Sequence, residues 1–139
     1  MKIFSLSLVA FLGLSQISFA TETDSLLIGK WNLFKIIDNM TGNETVPPKP
    51  NEDFNFSISF QDSVVHFNLE INRCENSYEI TGLHQIKFLF YDECTKICCD
   101  HFFSSLLTYA DCTGYFIRNE NTLVLVSEDR IFYFSKAVD

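Results

Sequence analysis

The residues of this chain best suited to chemistry are its cysteines. Four of the five fall close together and the fifth precedes them, in the order Cys74, Cys94, Cys98, Cys99 and Cys112. An exported chain with this number of cysteines is expected to form two disulfides and to leave one thiol free. Cys98 and Cys99 are adjacent, and a bond between them would be strained, so we expect them to have different partners.

The same residues could instead form a metal site or a catalytic nucleophile. Soft ligands lie close together across residues 94–101, but a zinc site needs a second pair that only Cys74 or Cys112 could supply. Cys99 with His101 as its base is a formal catalytic pair, which requires a reduced and activated thiol. Because export favours oxidation, we expect disulfides here, with no metal and no cofactor.

The remaining candidates for catalysis are weak. His66 and His84 fall on predicted strands, where a histidine is ordinarily exposed or satisfied within the core. The chain contains no G-x-S-x-G, H-E-x-x-H, phosphate-loop or dinucleotide-binding motif. The sequence therefore predicts a protein that is not an enzyme.

The N-terminal residues have the pattern of a secretory signal peptide. Lys2 precedes an apolar run over residues 6–14, and Ser18-Phe19-Ala20 fits a cleavage site. We therefore expect residues 1–20 to be removed and residues 21–139 to fold as one domain. The product is expected to be secreted, or associated with the cell surface or envelope.

The charge of the chain argues against two classes of partner. The formal net charge is −8, and removal of Lys2 with the leader makes it more negative. Such a chain has no electrostatic basis for binding nucleic acid or anionic membranes. The expected partner is another protein, whose identity the sequence does not indicate.

Three asparagines fit the N-x-[ST] pattern of a glycan acceptor, namely Asn39, Asn43 and Asn55. The first two lie in a polar, proline-bearing loop over residues 38–53, whereas Asn55 lies at the entrance of a predicted strand. In a eukaryotic source we expect Asn39 and Asn43 to be modified more readily than Asn55.

Alternating apolar residues predict a series of short strands. The first, over residues 29–37, carries the single Trp31, which we expect to anchor the core. Asp100 is a suitable N-cap for one helix that continues to about Tyr109 with a buried apolar stripe. The expected fold is α+β and mostly β: an antiparallel sheet or open barrel of about seven to eight strands, with the helix packed against it before the last three strands.

Several motifs follow one another in a characteristic order. They are Gly29-Lys30-Trp31, Ile58-Ser59-Phe60, Cys74-Glu75-Asn76, Thr95-Lys96-Ile97-Cys98, Leu106-Leu107, Tyr115-Phe116-Ile117, Leu123-Val124-Leu125 and Ile131-Phe132-Tyr133-Phe134. In this order and spacing, most of residues 28–136 resembles the META domain family, the HslJ-like proteins. Family members usually carry Gly and Asn on either side of the turn cysteine, where this chain has Arg73 and Glu75.

The resemblance implies a small, mostly antiparallel β fold with one packed helix, in secreted or envelope proteins linked to stress tolerance or virulence. The family has no established enzymatic activity or cofactor to carry over. The resemblance also implies a disulfide between the turn cysteine, Cys74, and Cys98, with Cys99 as the alternative partner. Cys94 or Cys99 would then pair with Cys112, and a thiol left unpaired could join two copies into a dimer.

The opening motif Gly29-Lys30-Trp31 is also similar to the Gly-x-Trp opening of lipocalins, whose barrels hold apolar ligands. The alternative function is therefore a small lipocalin-like carrier of a hydrophobic ligand. Against this alternative, residues 21–139 are few for such a barrel, and the predicted helix precedes the last strands instead of following them.

Overall fold

The computed structural model describes residues 24–48, 55–69, 72–89, 94–95 and 111–138. They form one antiparallel sheet, whose nine strands are β1 (Gly29–Asp38), β2 (Glu44–Thr45), β3 (Ser57–Gln61), β4 (Val64–Leu69), β5 (Asn72–Gly82), β6 (Gln85–Leu89), β7 (Gly114–Arg118), β8 (Thr122–Val126) and β9 (Arg130–Lys136). These ranges contain no helix, and therefore no helix that is long and apolar enough to cross a membrane. The predicted signal peptide, residues 1–20, and the predicted helix, residues 100–109, lie outside them.

The sheet closes on itself to form a barrel. Each strand pairs with the next along the chain, apart from the short β2 beside the end of β1, and β9 returns to pair with β1. That last pairing runs from Trp31 opposite Lys136 to Asp38 opposite Arg130. The predicted antiparallel, mostly β architecture is confirmed. The barrel is closed instead of open because its last strand bonds to its first.

Inward-facing side chains fill the described interior. Strand residues point alternately in and out, so every second residue of each strand faces the barrel axis. The apolar side chains with 0% exposed surface are Leu27, Trp31, Ile58, Phe60, Val65, Leu123, Leu125, Phe132 and Phe134. The Phe60 and Tyr78 rings meet edge to face, with 5.0 Å between their centroids. Without the short β2, the barrel has eight strands, and a barrel of eight strands is just wide enough for such side chains to fill.

Trp31 is buried where β1 enters the barrel. Its indole Nε1–H donates a hydrogen bond to the Leu27 carbonyl at 2.8 Å. The Lys136 ammonium lies 5.2 Å from the centroid of the indole ring, within the range of a cation–π contact. A turn in which the Leu27 N–H donates to the Asp24 carbonyl at 2.9 Å brings Leu27 into the same core. The single tryptophan thus joins the chain before β1 to the end of β9.

Cys74 lies within β5 and not in a turn, which corrects the sequence prediction. Alternate residues of β5 are buried through this region, because the strand pattern continues without a break. Cys94 lies opposite Cys74 in an antiparallel bridge, with 4.1 Å between their Cα atoms, and the two form a disulfide. The predicted pairing of Cys74 with Cys98 or Cys99 is therefore wrong, and Cys94 is not available to Cys112.

Removing the disulfide should destabilise the barrel measurably. The bond joins residues 20 apart in sequence, and a Cys74→Ser, Cys94→Ser variant should lose about 3 kcal/mol of unfolding free energy. Urea denaturation of the oxidised wild type and the variant measures this difference. Cys112→Ala removes a thiol that is outside any disulfide, so it should cost less and serves as the control. A peptide map that links Cys74 to Cys98 or Cys99 would contradict the assignment.

Candidate functional site

Cys112, the free cysteine among the described residues, is enclosed by the protein. Its side chain is 2% exposed and belongs to the core cluster. Burial, and then the charge of Asp111, raise the pKa of the Cys112 thiol well above its usual range. A buried, protonated thiol is a poor nucleophile, so Cys112 is unsuited to the intermolecular disulfide that the sequence suggested. Cys98, Cys99 and His101 lie outside the described residues.

The two described histidines, His66 and His84, lie on the outside of the barrel. His66 Nδ1 is 3.4 Å from Glu75 Oε2, and both side chains are partly exposed. His84 is exposed at the turn between β5 and β6, with its ring centroid 5.0 Å from that of Phe116. Within the described ranges, no three His, Cys, Asp or Glu side chains come together as metal ligands. These contacts are those of surface histidines.

Two buried tyrosines, Tyr78 and Tyr115, face the interior near the start of β1. Tyr115 Oη donates a hydrogen bond to Asp24 Oδ2 at 3.0 Å. The Tyr78 hydroxyl is buried, and no residue in the described part of the chain is its hydrogen-bond partner. Burial is the largest cause that raises the pKa of each phenol to about 12, followed by Asp62 for Tyr78 and by the Asp24 hydrogen bond for Tyr115. Both phenols stay protonated at neutral pH and are unsuited to act as general bases there.

The seam between β6 and β7 borders a cleft. These strands share one registered pair, Gln85 and Gly114. A cavity of about 560 Å³ lies between β6 and residues 111–113. Its lining residues are Ile86, Phe88 and Cys112 on the apolar side, and Thr81, Gln85, Lys87, Asp111 and Thr113 on the polar side. The cleft is large enough for a small ligand, but its lining is less apolar than that of most ligand pockets.

One side of the outer surface of the barrel is apolar. Outward-facing residues of β1 and of β7 to β9 form the apolar wall, which consists of Phe34, Phe116, Val124, Val126, Ile131 and Tyr133. Register places Phe116, Val124 and Tyr133 in one row across three strands. Phe34 is 42% and Phe116 45% exposed, whereas Val124, in the middle of the row, is 4% exposed. The wall is therefore a set of partly exposed apolar side chains around the buried Val124, and apolar side chains clustered at a surface are typical of contact sites.

A β-bulge enlarges the apolar wall at β1. The register of β1 against β9 shifts between Leu33 and Lys35, so Phe34 and Lys35 both face outwards while Leu33 and Ile36 stay in the core. The two outward side chains contact Tyr133 from β9. The Phe34 and Tyr133 ring centroids are 6.2 Å apart, and Lys35 Nζ is 4.7 Å from the Tyr133 centroid. The bulge therefore adds an aromatic ring to the wall without removing one from the core.

The outer surface over β3 to β5 is polar, in contrast to the apolar wall. Ser59, His66 and Glu75 form one cross-strand row there. At the edge of the apolar wall, Lys35 Nζ is paired with Glu44 Oε1 at 3.3 Å. The outside of the barrel is thus amphipathic, with one side suited to water and the other to an apolar partner.

Sequence reasoning missed the apolar wall, although β8 and β9 carry its signal. Residues 123–126 and 131–134 are uninterrupted apolar runs. Strands that are covered on both faces have this pattern, whereas a strand with one face in water alternates. The barrel core accounts for only one of the two faces of each run, so the other face indicates an apolar surface outside.

The fold and this surface define a closed, up-and-down antiparallel β-barrel with an apolar core inside and an apolar wall on its outside. Comparisons with protein-family models, with curated proteins and with solved structures find no match to this chain. The basis for a function is therefore the barrel, its surfaces and the resemblance carried by the sequence motifs.

The raised pKa values of Tyr78 and Tyr115 predict a pH dependence of stability. Each phenol has a pKa of about 12 in the folded protein against an ordinary value of 10.0, so folding disfavours ionisation. Their contribution to stability should be complete below about pH 10 and lost as the pH rises to about 12. Absorbance titration of phenolate should show at least two late tyrosines, and Tyr78→Phe and Tyr115→Phe should each remove one. Ionisation of all five tyrosines together near the ordinary value would contradict this.

Proposed function

We propose that residues 21–139 form a secreted or surface-associated, META-like domain that is not an enzyme. It acts through contacts with another protein, in stress tolerance or in interaction with a host. The observation that carries this proposal is the apolar wall, where the partly exposed rings of Phe34 and Phe116 lie on the outside of the barrel with other apolar side chains. The motif series that resembles the META domain family supports the same class of function.

The filled interior supports contact at the outer surface over storage of a ligand inside. Phe60, Phe132 and Phe134 are each 0% exposed around Trp31, so aromatic rings take up the space that a carrier would leave for its ligand. To enter the barrel, an apolar molecule would have to displace these side chains, which costs packing free energy. The outer wall needs no such rearrangement.

The chemistry of the wall indicates what the partner presents. Phe34 and Phe116 expose nearly half of their surface, and covering each ring should contribute about 1 kcal/mol. Arg118 is exposed beside Phe116 at the end of β7, on a chain whose net charge is −8. The partner therefore presents an apolar surface with an acidic residue at its border to face Arg118.

Substitutions in the apolar wall should weaken partner binding without unfolding the barrel. Phe34→Ser and Phe116→Ser should each reduce affinity about fivefold to tenfold, because each removes exposed apolar surface and leaves the core intact. The measurement is titration with a partner captured from secreted or surface material by the intact, oxidised domain. His66→Ser, on the polar side, is the matched control.

Two outcomes would contradict the proposal. The first is equal loss of affinity in the His66→Ser control, which would place the contact elsewhere. The second is reproducible turnover of a substrate that is lost on mutating Cys99 or His101, because it would overturn the conclusion that the protein is not an enzyme. Concentration-dependent dimerisation lost in Phe34→Ser and Phe116→Ser would make a second copy the occupant of the wall instead of another protein.

The runner-up function, a small lipocalin-like carrier, draws support from the closed antiparallel barrel and from the position of Trp31. Trp31 is the third residue of β1, after Gly29 and Lys30, and the Lys136 ammonium lies over its ring. A carried ligand would occupy the cleft beside β6, which the core residues Ile86, Phe88 and Cys112 line in part.

Titration with a fluorescent fatty-acid probe separates the two functions. Contact through the apolar wall predicts a flat titration, or weak binding that Phe116→Ser abolishes. A carrier instead requires saturable binding that lipid displaces and that Thr113→Trp blocks, because Thr113 is an exposed residue on the lining of the cleft. Saturable, displaceable binding with this dependence on Thr113 would favour the carrier.

A further inference from the structure

The three sequons of the chain differ in what their residues do in the folded barrel. Asn39 and Asn43 are exposed beside the turn that connects β1 to β2, and Asn55 is half-buried just before β3. A glycan is joined to the side-chain nitrogen of its asparagine, so that nitrogen must be free to point into solvent. Asn43 meets this condition, Asn39 does not, and Asn55 is restricted by the burial of its sequon.

Asn39 uses its side-chain nitrogen to join two turns. Its Nδ2 donates hydrogen bonds to the Ser127 carbonyl at 3.2 Å and to the Glu128 carbonyl at 2.9 Å. Its backbone N–H donates to the Asp129 carbonyl at 2.8 Å. An amide nitrogen carries two hydrogens, and a glycan would replace one of them. A glycan on Asn39 would therefore remove at least one of the two side-chain hydrogen bonds that attach the β1–β2 turn to the β8–β9 turn.

Asn55 fails for a different reason. The hydroxyl residue of its sequon, Ser57, is 0% exposed, and its Oγ accepts a hydrogen bond from Asn68 Nδ2 at 2.8 Å. The residue between them, Phe56, is 5% exposed. This sequon is therefore held against the barrel in the folded chain.

Asn43 has the surroundings of an acceptor. Its backbone makes the contacts of the turn, since its carbonyl accepts from the Asp38 N–H at 3.0 Å and its N–H donates to Thr41 Oγ1 at 3.3 Å. Its exposed side chain makes no hydrogen bond to any described residue. A Cβ placed on the preceding Gly42 would meet no described atom within 4 Å, so the turn has open space around it.

We propose that Asn43 is the N-glycan acceptor of this chain and that Asn39, although it is in a sequon, is a structural residue that excludes a glycan. The donor is an oligosaccharide linked to a polyprenyl diphosphate in a eukaryotic secretory pathway. The bond between Asn43 Nδ2 and the anomeric carbon of the sugar forms, the carbon–oxygen bond to the diphosphate breaks, and the amide gives up one proton. The lipid diphosphate leaves with the electron pair of the broken bond. This inference rests on the proposed secretion of the chain, but it is independent of the apolar wall.

The test is expression of the full chain in a eukaryotic secretory host, followed by treatment with a peptide N-glycosidase and mass spectrometry. The enzyme converts a glycosylated asparagine to aspartate, which identifies the site. We expect one glycan, at residue 43, in the folded product. Asn43→Gln and Thr45→Ala should abolish it, whereas Thr45→Ser, which keeps the sequon, should retain it.

Changes at the neighbouring sequon complete the test. Asn39→Gln should leave the glycan at Asn43 unchanged, and Thr41→Ala keeps the Asn39 side chain if the first variant does not fold. A folded product that carries its glycan on Asn39 or Asn55 would overturn the proposal. So would the absence of any glycan both in the full chain and in a form whose residues 1–20 are replaced by an efficient leader.

Discussion

The pairing of β1 with β9 is the constraint on which the rest of the structure depends. It joins the first long strand to the last and so closes the sheet, which gives the barrel an inner and an outer face. The bulge between Leu33 and Lys35 lies within this pairing. Because the extra residue is accommodated outside, Leu33 and Ile36 remain in the core while Phe34 faces outwards. Closure of the barrel and construction of the apolar wall are therefore consequences of the same register.

Local patterns predicted much of the fold. The strand over residues 29–37 follows from the alternation of side chains, and the last two strands follow from short apolar runs bounded by turns; together such patterns predict the mostly β class. Closure could not be predicted in this way, because it depends on bonds between strands about a hundred residues apart in sequence. The predicted disulfide partner of Cys74 was wrong for a related reason. A disulfide depends on which residue the register places opposite, and that residue is Cys94.

In the candidate site, too, some features can be predicted from single residues, whereas others depend on how distant strands are assembled. Thiols drew attention in the sequence because they can do chemistry, but the fold uses Cys74 and Cys94 as a cross-link and encloses Cys112. The apolar wall comes from four strands, β1, β7, β8 and β9, and each contributes only one or two of its residues. Within a single strand such a residue looks like an ordinary core position, so the wall becomes visible only when the strands are assembled.

Amide hydrogen exchange in the native protein is the most direct test of the closed barrel. The hydrogen-bonded amides shared by β1 and β9, including those near Leu33 and Phe134, should be among the slowest to exchange, at rates set by global unfolding. Cross-strand nuclear Overhauser effects between Leu33 and Phe134 should accompany them. Rapid exchange along the side of β9 that faces β1, as in an exposed edge strand, would contradict the closed barrel and with it the outward placement of the apolar wall.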